Sequence, residues 1–89
     1  MKRGDVLDIA KNCVCRDRQD AHGNPENTFA DISGLWSAYL GHPILPHEVA
    51  WMMVLFKAAR AKNNPQHNDN AIDAAGYAAL ASELAGEPA

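Results

Sequence analysis

Apolar residues recur at three- and four-residue spacing over four stretches of the chain, separated by turn-forming residues. The first predicted helix runs from about Asp5 to Gln19, with Val6, Leu7, Ile9, Ala10, Cys13 and Val14 on one stripe. A turn-rich segment from Asp20 to Glu26 follows. The second predicted helix spans Pro25 to Leu40 and carries Phe29, Ile32, Leu35, Trp36, Tyr39 and Leu40 on one face. Asn24 suits its N-cap, Pro25 its first turn, and Gly41 the position just past its end. The linker His42-Pro-Ile-Leu-Pro46 is stiff and not helical throughout. A third helix is predicted from Pro46 to about Ala61. It is apolar almost all round, through Val49, Trp51, Met52, Met53, Val54, Leu55 and Phe56, which predicts a central element covered by other helices or by a partner subunit. After the loop Asn63 to Asn68, a fourth helix is predicted from about Asp69 to Ala85, with the stripe Ile72, Gly76, Tyr77, Leu80 and Leu84. Its many alanines let another helix approach closely. The expected fold class is all-α: one domain over residues 1–89, a compact four-helix arrangement assembled as a homo-oligomer.

The chain has 89 residues, which restricts it to one modest core and makes subunit association favourable. A net charge of −3 argues against binding to duplex nucleic acid, which needs a concentrated basic surface. No apolar run approaches the ~20 residues needed to span a bilayer, and the start Met-Lys-Arg-Gly-Asp lacks a secretory h-region. A soluble, intracellular protein with no membrane partner is expected. Cys13 and Cys15 sit about 200° apart on a helix, which disfavours a disulfide between them.

One position breaks the pattern of the last helix. Asp73 falls in the middle of its apolar stripe, where a carboxylate must be paired, bind a metal or be neutralised. Lys57, Arg60 and His67 are its nearest candidate partners in sequence. A structural reading pairs Arg60 with Asp73 across the third and fourth helices. A functional reading has Lys57 and Arg60 grip a phosphate while Asp69 and Asp73 orient it or hold Mg²⁺. Asp17 likewise extends the stripe of the first helix, so Asp17 and Asp73 are expected to share one polar pocket, with His22 and Asn27 as secondary contacts. The four histidines lack zinc-ligand spacing. Ser33, Ser37 and Ser82 stand on helices without an obvious base, and no phosphate-binding glycine loop is present.

The blocks His22-Gly-Asn-Pro25, Leu35-Trp-Ser-Ala-Tyr-Leu-Gly41, Glu48-Val-Ala with Met52-Met53, Lys57 and Arg60, and His67 through Asp73-Ala-Ala-Gly-Tyr77 resemble a family of short, uncharacterised phage and prophage proteins. That resemblance implies a small helical protein working in the cytoplasm of a bacterial host. A more distant resemblance is to the MazG-like all-α NTP pyrophosphatases, whose paired acidic motifs hold Mg²⁺ around a nucleoside triphosphate. Here His47-Glu48-Val-Ala-Trp51 and Asn70-Ala-Ile-Asp73 stand in for those motifs, and only Glu48 and Asp73 keep an acid. The resemblance therefore implies a metal pair of Glu48 and Asp73. The favoured expectation is a phage protein that binds a phosphorylated or cyclic nucleotide without turning it over, sequestering a signal of host defence. A Mg²⁺-dependent NTP pyrophosphatase is one alternative. An interaction protein that inhibits a host or phage enzyme, with no small ligand, is the other.

Overall fold

A computed structural model describes residues 1–17 and 25–86, apart from the side chains of residues 16, 17 and 25. All regular structure among these residues is helical. Helix α1 spans Arg3–Asn12 and continues as a π-helical turn over Cys13–Asp17, α2 spans Pro25–Leu40, α3 Pro46–Asn63 and α4 Asn68–Ala85. The loop 18–24, with Arg18, His22 and the proposed cap Asn24, lies outside the described residues.

Local chemistry accounts for the helix ends. At α1 the backbone N–H of Lys2 donates to the Asp5 carboxylate at 3.1 Å, and at α3 the N–H of Leu45 donates to Glu48 Oε1 at 2.9 Å. Each acid sits three residues into its helix and reaches back to satisfy the capping residue's donor. Gly41 takes φ +77 beyond the end of α2 and donates to the Ser37 carbonyl at 2.9 Å, a left-handed stop that suits glycine. Between α2 and α3 the chain is clamped by two serines. Ser33 and Ser37 both donate their hydroxyls to the Ile44 carbonyl, and the Ile44 N–H donates to Ser37 Oγ at 2.8 Å.

The chief packing is between α3 and α4, joined by a short loop and antiparallel; α1 packs on α4 and α2 on α3. Phe29, Ile44, Val49, Ala50, Tyr77, Leu80 and Ala81 form the core, with Val14, Ile32, Trp36, Met53, Val54 and Leu84 around it. Phe29 and Tyr77 meet edge to face, with ring centroids 6.2 Å apart. The π turn settles against α4 at Gly76, where an added Cβ would lie 3.6 Å from Val14 Cβ.

The core is narrower than the apolar pattern predicts. On α1, Leu7 and Ile9 face outward while Ala10 is buried. On α2, Leu35, Tyr39 and Leu40 are exposed, Tyr39 at 90%. Helix α3, expected to be surrounded, is covered by its own chain on one side only. Val49 and Ala50 are buried, whereas Trp51, Met52, Leu55 and Phe56 are exposed. The reason is the number of neighbours: α4 and α2 occupy the inner side of α3, and the described residues supply no helix for the outer side.

Candidate functional site

The off-pattern carboxylate of α4 is paired as the burial argument requires. Asp73 Oδ2 lies 2.8 Å from Lys57 Nζ, with side-chain exposures of 25% and 14%. Pairing follows from the α3–α4 hairpin, which sets the inner face of α3 against the stripe of α4. Arg60, the partner expected for Asp73 on the structural reading, is exposed, with its guanidinium carbon 5.6 Å from the centroid of Phe56. Lys57 Nζ lies 5.8 Å from the same ring. Phe56 is thus an exposed aromatic plate flanked by two cations, an arrangement in which ring quadrupole and positive charge attract. Arg60 is exposed and lies over Phe56.

The remaining expected residues divide. His67 and Asp69 stand exposed at the start of α4, with His67 Nε2 and Asp69 Oδ2 3.8 Å apart. Asn27 is exposed in the first turn of α2. The side chain of Asp17 and all of His22 lie outside the described residues. Glu48 caps the N-terminus of α3 with Oε1. It precedes Lys57, the partner of Asp73, by two and a half turns, about 13 Å along the helix. Glu48 and Asp73 are therefore not brought to one site. Among the described residues no group of three or more His, Cys, Asp or Glu is placed to hold a metal ion.

The cavity beside Asp73 is small. Ala10, Cys13, Val14, Ile72, Gly76, Tyr77 and Leu80 line it with Asp73, and it measures about 10 Å³, the room of one water. A much larger opening lies elsewhere, a groove of about 400 Å³ between α2 and α3 lined by Trp36, Tyr39, Leu40 and Met52. In the sequence Trp36 and Tyr39 read as core or interface aromatics and Met52 as core filler, and the groove is missed. The available signal is that α2 and α3 carry more large apolar side chains than a chain of this length can cover. Ser33 and Ser37 are also read without a role. Their spacing of one helical turn before a proline-rich linker is the pattern that holds the linker.

What fold and junction define is a small helical protein with a shielded lysine–aspartate pair between two antiparallel helices and an uncovered apolar flank. By sequence, the chain belongs to the family described as "Domain of unknown function (DUF6378)", which matches residues 5–85. It is similar to the "Gene 55 protein" of Mycobacterium phage D29, 36% identical over 83 residues, covering 93% of this chain and 55% of that protein. It is also similar to the "Gene 55 protein" of Mycobacterium phage L5, 34% identical over 80 residues, with coverage of 89% and 51%. The chain thus spans about half the length of these relatives. No solved structure matches it. Among the described residues no helix is long and apolar enough to cross a membrane.

Proposed function

We propose that this is a phage-encoded interaction protein, acting on a host or phage enzyme by binding rather than by catalysis. One contrast supports the reading: the apolar groove at Trp36, Tyr39, Leu40 and Met52 has about 400 Å³, against about 10 Å³ beside the Lys57–Asp73 pair. A groove of that size, rimmed by an almost fully exposed tyrosine, suits an inserted side chain of a protein partner. The outer face of α3 supports a second part of the same reading, that the protein is a homo-oligomer.

A nucleotide-binding reading has its own observation. Phe56 offers a stacking plate for a base, with Arg60 and Lys57 beside it for phosphate. In this reading Asp73 and Asp69 orient the ligand, and His22 and Asn27 are secondary contacts. The ligand is a phosphorylated or cyclic nucleotide, held or sequestered in the host cytoplasm. The MazG-like reading adds Mg²⁺ and release of pyrophosphate.

A thermal-shift screen with nucleoside triphosphates and cyclic dinucleotides, with and without Mg²⁺, separates these readings. The interaction reading expects no shift with any compound, and expects a target captured in host cells to be lost with Tyr39→Asp but kept with Arg60→Ala. A shift abolished by Arg60→Ala or Lys57→Ala overturns it in favour of nucleotide binding. Pyrophosphate release lost in Asp73→Ala overturns it in favour of the pyrophosphatase.

A further inference from the structure

The outer face of α3 is self-complementary when reversed on itself. Its exposed side carries, in order, Glu48, Trp51, Leu55, Ala59 and Lys62. These positions fall within about 40° of one line down the helix at about 100° per residue. Leu55 is the midpoint, with two-thirds of its surface exposed. A second α3 laid antiparallel with the two-fold at Leu55 sets Trp51 over the partner's Ala59 and Glu48 opposite the partner's Lys62. The same holds with the chains exchanged. Large meets small and acid meets base, both times at once, as an isologous interface requires. The acid and base stand at opposite ends of the face, about 21 Å apart, so a parallel pairing would set like charges together.

We infer that a second copy of this chain docks on the outer face of α3, antiparallel, with the two-fold axis beside Leu55. This deepens the homo-oligomer reading above by naming the face, the direction and the register. Leu55 packs on the partner's Leu55 at the centre of the seam. Each Trp51 lies in the space that the small side chain of Ala59 leaves open. The two Glu48–Lys62 pairs close the ends, where partial exposure makes them determinants of register more than of strength. Glu48 keeps its cap to Leu45 through Oε1, which leaves Oε2 for the lysine. A helix-terminal acid pointing outward thereby serves two donors.

Sedimentation velocity over a dilution series of the full chain tests the inference. A dimer is expected, with Leu55→Arg raising its dissociation constant by about tenfold or more, because two guanidinium groups then meet on the axis. A matched Leu35→Arg on α2 should leave the dimer intact. Glu48→Lys and Lys62→Glu should each weaken association, and the double exchange should recover it to within a few-fold. That recovery cannot come from the α3 cap, which is lost in both the Glu48→Lys single and the double variant. A dimer indifferent to Leu55→Arg, or a double exchange no better than its singles, defeats this register and leaves the oligomer reading standing. A monomer at every concentration defeats both.

Discussion

Asp73 states its requirement in the sequence and has it met in the fold. An acid on the greasy side of a helix needs a cation, and Lys57 supplies one at 2.8 Å behind mostly covered surfaces. Truncating Lys57 to Met should therefore cost about 1–3 kcal/mol in urea denaturation, the penalty of a shielded carboxylate deprived of its cation. Adding Asp73→Leu should return part of that loss, since replacing both partners removes the stranded charge. Strict additivity of the two changes would mean that the pair is not coupled. Ser37 is a second test at this scale. Its Oγ accepts the Ile44 N–H at 2.8 Å, so Ser37→Ala should cost about 1–2 kcal/mol and speed amide exchange at Ile44. Unchanged exchange would show that the hydroxyl does not hold the linker. That Asp73 needs a pair, a metal or neutralisation was legible from its place on the wheel. Which cation pairs with it was not. Lys57 and Arg60 differ by about 60° on α3, and only the crossing of α3 with α4 decides between them. The grouping of Asp17 with Asp73 turns on the side chain of Asp17, which lies outside the described residues.

At the scale of elements, prolines and glycines carried much of the legible signal. Pro46 opens α3, and Gly41 follows α2 with a left-handed backbone. The face that each helix turns inward was harder to read. A helix apolar almost all round has no pattern to orient it, so Val49 and Trp51 looked alike although one is buried and the other half exposed. The stripe of α4 was clearer, because its large residues sit among alanines and only one side is bulky. Gly76 shows what contact there tolerates. A methyl group at this position would meet Val14 at 3.6 and 3.8 Å, ordinary van der Waals distances, on a helical backbone. Gly76→Ala should accordingly stabilise the protein by about 0.5–1 kcal/mol, read as a higher Tm. Gly76→Leu should do the opposite by prising the π turn and α1 off α4. A fall in Tm with alanine would mean that the turn sits closer to α4 than the backbone places it.

For the whole molecule, the decisive fact is how little of the apolar surface one chain covers. Among the described residues Val49 is the largest side chain that is fully buried, while Leu35, Tyr39, Leu40, Trp51, Leu55 and Phe56 face outward. An all-α fold was legible from the helical spacing of apolar residues on α1 and α2 and from the prolines and glycines that bound the segments, even where α3 is apolar almost all round. The incomplete cover was legible only as an excess of large apolar residues for a short chain. If a second copy supplies that cover, stability is linked to association. The Tm should then climb as protein concentration is raised, and a Tm independent of concentration would contradict the linkage.

The pair of hydroxyls on Ile44 has a kinetic corollary. With the connection between α2 and α3 tied at both its carbonyl and its amide, the two walls of the groove are fixed in their mutual angle before anything arrives. On the interaction reading, a visiting partner would meet a mould already set and lose little free energy to straightening a floppy joint. Capture should therefore run in a single phase whose rate scales with the visitor's concentration. Loosening the joint at Ser37 should slow the landing more than the departure.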